Sequence, residues 1–529
     1  MKQSHAWLRR MSALAIAVAV IGMSTSSGFG AEPPSLLDPE VAARLRAAGT
    51  TGEQALLAGM TVEVGVEQPS EVVVPLLALN MGRAKGPKVT LEEIRVEGPE
   101  RDLRATVRPG ERLRSSADVA ATKPEVLTRL ADKDTKRVAE LVDRGHAVDV
   151  AVPVDDLELT DSTTTTLTAT AVFDVAGEKQ TAVLPLAVTV AGMPAHPYWS
   201  AGDGHVHSST WSDGWYSVAS RASQAVANGH AWLIMTDHWA KIWSVGGNGN
   251  ANWATYCNDC MKQQSAYGIP VLPGVEIKAS SGKSHTLGYA LAATTVPPRE
   301  QYFSAVDLVG AVNAHTSGAS YAIAAHPYSL LYPWEDFGAR FRAMELMSNE
   351  VMATAETQAT WFALLRGSIG GKIAGGSFPV GVANTDAHYQ SPGSAGITWI
   401  RSTISPLTRT AVWNAVKAGN ASASGRGDLG FFTLNGVQQG GVAIVSSTGS
   451  LAFSITQKPK TGRRCTEISI RDSNNSVVWK VSNPQSTTYS ASVTRPSADT
   501  FYVVKMVFAT TGNTDHSHVW CNPVFVDRR

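Results

Sequence analysis

Apolar and polar positions alternate at both ends of the chain, while the middle follows another pattern. In TVEVGV, Val62, Val64 and Val66 fall on one face, and in LTATAVFDV, Leu167, Ala169, Ala171, Phe173 and Val175 do. A period of two predicts half-buried strands, so residues 31–195 read as a mostly β domain. One helix is predicted within it. PEVLTRLADKDTKRVAELV opens on Pro124 and spaces Leu127, Leu130, Val138 and Leu141 at helical intervals. The junction AGMPAHPYWSAG, 191–202, is rich in Pro and Gly. After it, the short apolar runs AWLIMT, IPVLPGVEI, YAIAAHP, RAMELMSN, FPVGVANT and GITWIRS alternate with helical stretches such as WYSVASRASQAVANG and TAETQATWFALLRGSIGG. Buried strands alternating with helices predict βα units and a largely parallel sheet or barrel over 196–427. Alternation returns in SVVWKV, with Val477, Trp479 and Val481, and in FYVVKMVF, with Tyr502, Val504, Met506 and Phe508. Residues 428–529 therefore read as a small β-sandwich.

Length and charge narrow the possibilities. The 529 residues suffice for several domains, and 45 basic side chains balance 45 acidic ones. That balance removes any bulk attraction to nucleic acid or to an anionic membrane surface. Residues 1–30 read as a signal peptide. Lys2, Arg9 and Arg10 precede the apolar SALAIAVAVIGM, which is short for a bilayer span, and small residues follow up to Gly30. A retained anchor is the alternative. The mature protein is thus expected to be secreted or periplasmic, with no membrane partner once the signal is removed. Four cysteines suit that compartment. Cys465 and Cys521 read as a disulfide. CNDC, with Cys257 and Cys260, reads as a local disulfide, with a redox pair or half a zinc site as alternatives.

The candidate chemistry lies in the middle segment. GDGHVHSSTWSDG holds Asp203, His205, His207 and Asp213, and AWLIMTDH ends in Asp237 and His238. Glu276 closes the next run, GKSHTLGY supplies His285, YAIAAHP supplies His326, and FPVGVANTDAH ends in Asp386 and His388. A single histidine after an apolar strand is usually a satisfied core or rim residue. Six of them with several acids, nearly all at strand ends of one βα segment, form a different pattern, because strand ends on one face of such a fold converge. Imidazole and carboxylate together are ligands for zinc, manganese or iron. Without an ion, the carboxylates would repel and the buried imidazoles would lack partners. Of the other histidines, His5 leaves with the signal, and His196, His230, His315, His516 and His518 read as ordinary core or surface residues.

HVHSSTWSDG, TDH, GVEI, HTLGY, AHP and NTDAH, in that order, resemble the motifs of the PHP (polymerase and histidinol phosphatase) superfamily over roughly 199–427. The resemblance implies a distorted, TIM-like βα barrel of seven strands, flanked here by the N-terminal mostly-β domain and the C-terminal β-sandwich. It implies two or three divalent ions (Mn, Zn or Fe). His205, His207, Glu276 and Asp386 resemble the ligands of one, Glu276, His285 and His326 those of a second, and Asp213, His238 and His388 those of a third. Glu276 would bridge. Asp203 and Asp237 resemble groups that orient histidines through the far ring nitrogen. Asp213 stands where the family carries His or Asp, which bears on the third ion, and Trp239 follows TDH where a small polar residue is common. Trp239, with Trp211, Trp215 and Trp243, reads either as a wall at the pocket mouth or as helix packing.

The activity implied is that of an exported metal-dependent phosphoesterase, hydrolysing phosphomonoesters or phosphodiesters through a metal-bridging hydroxide. Asp386 is the candidate proton acceptor from water. His238 or His388 is the candidate proton donor to a leaving group if the third ion is absent. Lys278 and Arg401 are candidate phosphate contacts, each otherwise a solvated surface charge. One alternative keeps the site and changes the substrate to a carbamate or carboxylic ester, as in an exported branch of the superfamily. Another class of reading is a non-catalytic cell-wall or polysaccharide-binding protein. The expected partner is a small-molecule or polymer-linked ester.

Overall fold

The computed structural model describes residues 192–529, apart from 215, 245–248, 299–303, 317–318, 330–332, 335, 338–339, 349–354, 389–390, 447–448 and 511–515. Before them it describes 55–59, 62–64, 71–80, 88–98, 105–107, 111–113, 146–153 and 164–190. The signal segment 1–30 and the helix expected over 124–142 lie outside the described residues. Strands dominate, with 29 of them and six helices among the described residues. No described helix is long and apolar enough to cross a membrane. The chain divides into two compact units, the first reaching Gly192 and also taking in Ala227–Gly229, the second comprising Met193–Val226 and His230–Arg529.

The first unit holds a three-stranded sheet (Ala55–Gly59, Glu71–Asn80, His146–Pro153) and a six-stranded sheet centred on Thr164–Val175 and Glu178–Val190. Leu167, Ala169, Ala171 and Phe173 are fully buried while Thr168, Thr170 and Val172 are half-buried, as a one-sided strand requires.

In the second unit, numbered by itself, the site-bearing elements run β1 Trp199–Val206, α1 Val218–Ala227, β2 Trp232–Met235, α2 Trp239–Ser244, α3 Gly249–Tyr267, β3 Val271–Pro273, β4 Val275–Lys278, β5 His285–Tyr289, α4 Ala305–Ala314, β6 Tyr321–Ala324, β7 Ala343–Met347, α5 Ala355–Ile373, β8 Val380–Ala383, β9 Ile397–Arg401, α6 Arg409–Ala418 and β10 Ala421–Ser424. The expected seven-stranded TIM-like barrel is corrected. These strands lie in two separate sheets. One has the order β4-β5-β6-β7-β8, and the other begins β3-β2-β1-β9-β10. The pairs β4/β5, β5/β6, β1/β9 and β9/β10 are antiparallel. The reason is partly local. The 279–284 connection between β4 and β5 is far shorter than a parallel crossover needs, so β5 returns antiparallel. The run IPVLPGVEI is also broken at Gly274 into two strands that belong to different sheets.

The second sheet does not stop at residue 427. It continues from β10 into the C-terminal strands His516–Cys521, Thr500–Thr510, Arg463–Arg471 and Val477–Ser482. The Thr500–Thr510 strand is buried on both faces. Tyr502, Val504, Met506 and Phe508 pack in the core shared with the four-stranded sheet that includes Leu429–Leu434 and Leu451–Lys458. Phe501 and Val503 join the core beneath the site, which also takes in Trp361 and Phe362 of α5.

All four cysteines are free and buried, so both expected disulfides are corrected. Cys465 pairs in register with Phe508, and Phe508 with Ser517. Cys521 lies four residues beyond Ser517, about 13 Å along the strand, whereas a disulfide needs Cα atoms within about 7 Å. Cys257 and Cys260 lie on α3 and face the core with Trp253 and Tyr256. Burial pushes the Cys257 thiol up to about 12, which disfavours the reactive thiolate.

Candidate metal centre

The site assembles at one end of both sheets. His205 is the next-to-last residue of β1, with His207 just beyond it. Asp237 and His238 follow β2, His326 follows β6, and Asp386 and His388 follow β8. Antiparallel β5 brings its beginning, His285, to the same end, directly across from Lys278 of β4. Single parallel bridges, Val206 with Ala387 and His238 with Glu276, join the two sheets around the cluster. Gly204 allows the close approach. A Cβ there would collide with the Tyr289 hydroxyl, which donates to the Gly204 carbonyl.

The nine expected ligands come together in three overlapping groups: His205, His207 and Asp386; Glu276, His285 and His326; and His207, Asp213, His238 and His388. In the first, His205 Nε2 and His207 Nε2 each lie 3.2 Å from Asp386 Oδ1, and 3.6 and 3.3 Å from Glu276 Oε2. In the second, Glu276 Oε1 is 2.6 Å from His285 Nδ1 and 3.2 Å from His326 Nε2. In the third, Asp213 is 3.4 Å from His388 Nε2 and 3.5 Å from His238 Nε2. Glu276 also lies 3.0 Å from His238 Nδ1, so its carboxylate faces five of the six imidazoles.

Apart from the 2.6 Å hydrogen bond between His285 Nδ1 and Glu276 Oε1, these separations fit shared cations. Ligand atoms about 2.0–2.2 Å from one ion stand about 3–3.5 Å from each other. The buried His205 Nε2 and His207 Nε2 have no hydrogen-bond partner. Both nitrogens face Asp386 Oδ1 and Glu276 Oε2, as ligand atoms gathered around one cation would. His388 donates from Nδ1 to the Asp386 carbonyl at 3.2 Å, leaving Nε2 toward Asp213.

The charge balance supports the same fit. Burial alone would raise Glu276, but His285, His238 and His205 hold it well below the usual carboxylate range. Asp386 and Asp213 are also held low against burial, by His205 and His388 and by His238 and His388 respectively. Burial would lower His205, yet Asp386, Glu345 and Glu276 raise it well above its ordinary value. His388 is raised to about 9, because Asp386 and Asp213 outweigh its burial. Burial and the charge of His388 push His207 down to about 3. Without an ion, protons on His205 and His388 offset the carboxylates, and a divalent cation would take their place.

A pH dependence follows. Ligand nitrogens must be deprotonated. At pH 7 an ion must therefore displace the proton of His388. Metal affinity is expected to rise with pH from 7 toward about 9, by about tenfold per unit for each proton displaced, and to rise less steeply once His388 has lost its proton. Calorimetric titration with zinc in buffers of differing ionisation heat measures the proton release. A pH-independent affinity with no protons released would contradict the protonated state assigned to His388.

The roles expected of Asp203 and Asp237 change, and Arg401 and the described tryptophans lie away from the ligands. Asp203 does not orient a histidine ring. Its Oδ1 accepts from the backbone N–H groups of His205 and Thr385, both at 3.0 Å, and its Oδ2 from Gly393 at 2.8 Å. It thereby ties β1 to the loop carrying Asp386 and His388, though burial pushes its pKa up to about 6. Asp237 likewise serves Ser208, accepting from its amide and, at 3.0 Å, from its hydroxyl. Arg401 pairs with Trp199, at the far end of β1 from His205, about 20 Å away along the strand, and lies over the Tyr198 ring. It does not reach the site. Trp239 is buried against Trp243 and Trp253, and Trp211 is buried with its Nε1 donating to Asp259 at 3.0 Å. Both belong to the core and not to a pocket wall; Trp215 lies outside the described residues. Lys278 remains at the site by register.

Sequence reading missed the support around the ligands. Glu345 of β7 is fully buried among the histidines. Its only signal is an acid inside the apolar run RAMELMSN. Arg221 of α1 is also fully buried. It donates to the carbonyls of His207, at 2.9 Å, Ala387, at 3.1 Å, and His388. Ser212 donates to Asp213 at 2.8 Å and accepts from the His238 amide at 3.0 Å.

No protein-family model matches the chain, and no curated protein does. Among solved structures, the chain is similar to a candidate metal-dependent phosphoesterase from Bifidobacterium adolescentis, 14% identical with a TM-score of 0.23, covering 38% of this chain and 91% of that one. It is similar to β-glucuronidase 2 of Bacteroides uniformis, 8% identical with a TM-score of 0.18, covering 90% of this chain and 61% of that one. An adhesin from Mobiluncus mulieris is 9% identical with a TM-score of 0.17, covering 30% of this chain and 63% of that one. The chain spans less than two thirds of the last two. At such TM-scores none of these likenesses carries an argument, and the functional reading stands on the buried His/Asp/Glu clusters, whose atoms are placed to hold metal ions.

Proposed function

We propose that the chain is a metal-dependent hydrolase whose substrates are phosphoesters. The observation that carries the reading is the carboxylate of Glu276 facing five buried imidazoles. His205, His207, Glu276 and Asp386 would hold one divalent ion, Glu276, His285 and His326 a second, and Asp213, His238 and His388, with His207, a third. Bound there, such ions would supply Lewis acidity toward the ester oxygens and toward an attacking water.

The chain's own groups supply the rest. Asp386, whose Oδ1 lies 3.2 Å from both His205 and His207, would accept a proton from water. His238 is the most exposed of the six rings, with 18% of its side chain accessible against 6% or less for the others. If the third ion is absent, it is the candidate to return a proton to a leaving group. Lys278, on the same face of β4 as Glu276, offers a positive charge to a phosphoryl oxygen. The displacement of Arg401 favours a second reading. With that guanidinium absent from the site, a carbamate or carboxylic ester needs no phosphate clamp and uses the same groups.

Metal analysis of the purified protein, paired with rates on bis-p-nitrophenyl phosphate, p-nitrophenyl phosphate and 1-naphthyl N-methylcarbamate with added manganese or zinc, tests this. About two or more ions per chain with phosphate-ester turnover is the expected result. Turnover of the carbamate alone would replace the substrate assignment. A protein without metal or turnover would leave the binding-protein alternative.

A further inference from the structure

Glu345 belongs to none of the three ligand groups, yet its carboxylate is wholly buried among them. A charge so placed is costly unless its oxygens are occupied. Here they are. His205 Nδ1–H donates to Oε1 at 3.0 Å, and Asn384 Nδ2 donates to the same oxygen at 2.8 Å. The His326 backbone N–H donates to Oε2 at 2.7 Å. Asn384 in turn accepts from the Gly204 amide at 2.9 Å, beside His205. Each bond does separate work. The bond to His205 fixes Nδ1 as a donor and leaves Nε2 as the ligand atom, facing Glu276 and Asp386. The bond to His326 holds a backbone at φ +28, a region that residues with a Cβ seldom occupy, and so sets where Nε2 of that ring points. His205 comes from one sheet and His326 from the other.

We propose that Glu345 is the positioning residue that couples two metal positions, aligning His205 for the ion held with His207 and Asp386, and His326 for the ion held with Glu276 and His285. The inference rests on the metal-site reading of those clusters. Glu345 does not touch the ions or the substrate, and acts through the two histidines.

The test is Glu345→Gln, nearly identical in volume, with zinc affinity and stoichiometry measured by competition against chelators of graded strength. The amide keeps one acceptor oxygen, so it cannot serve both His205 and His326. Expected is a weakening of about 10- to 100-fold for two ions together, while the ion at Asp213, His238 and His388 keeps its affinity. A merely structural role would instead lower thermal stability in excess chelator and loosen all ions alike. Glu345→Asp keeps the charge with a shorter reach and serves as the second variant if the first unfolds; the same selective loss is expected. Unchanged zinc affinity in a folded variant, or equal loss at every position, would overturn the proposal while leaving the metal reading intact. An unaltered protein that binds no zinc would overturn both.

Discussion

Replacing Glu276 with alanine is expected to remove hydrolysis, on the order of 10³-fold or more, and to lower the metal content of the protein. The size of the effect follows from position. Loss of a single electrostatic stabiliser typically costs about 10²–10³ in rate, and Glu276 serves two ligand groups at once. With it gone, His285 and His326 lose the carboxylate that defines their group, and His205, His207 and His238 lose one of the charges they face. Glu276→Gln keeps the shape and one acceptor oxygen without the charge, and its loss is expected to be nearly as large. Metal content and steady-state rate, measured on the same preparations, check the result. Full activity in the alanine variant would show that Glu276 does not bridge.

Replacing Arg221 with methionine is expected to cost the largest share of stability of any single change near the site. Its guanidinium is fully buried and satisfies the carbonyls of His207, Ala387 and His388, and it bonds Gln224 Oε1 at 3.1 Å. Methionine fills much of the volume and none of that bonding. An orphaned buried carbonyl costs about 1–3 kcal/mol, and since the Ala387 carbonyl keeps the His207 amide, the two left bare, of His207 and His388, amount to roughly 2 kcal/mol or more. The bonded carbonyls belong to two ligands and to the residue between Asp386 and His388, so metal affinity is expected to fall as well. Arg221→Lys should recover little, since one ammonium cannot span the three carbonyls that the planar fork reaches. The midpoint of urea unfolding, taken in chelator, measures the effect. A shift of less than about 0.5 kcal/mol would mean the carbonyls find other donors.

The ligand residues could be read because their chemistry is rare and local. Histidine and acid at the end of an apolar run leave a mark in the sequence itself, as in AWLIMTDH and FPVGVANTDAH. The groups that hold those ligands leave almost none. Glu345 is one acid in an apolar strand, and Arg221 one cation on a helix; neither spacing nor composition says that they face inward. Asp203 and Asp237 were placed near the site by their neighbours in the chain, but their partners proved to be backbone amides from the 385–393 loop and from Ser208. A backbone N–H is common to every residue except proline, so no sequence pattern announces which one will donate to a carboxylate.

By itself, the sequence determined which segments are strands and which residue types gather at their ends. A period of two or a buried apolar run is decided within a few residues by side-chain burial, and this is why Tyr321–Ala324, Ala343–Met347, Val380–Ala383 and Ile397–Arg401 lie where the runs predict them. Only the tertiary structure decided how those strands pair. The return of His285–Tyr289 antiparallel, the division of IPVLPGVEI between two sheets, and the continuation of one sheet into the C-terminal strands replace the expected barrel. The physical reason is that strand partners are chosen by contacts between segments far apart in sequence. An apolar strand buried on both faces, such as Thr500–Thr510, accepts neighbours on either edge with equal local merit.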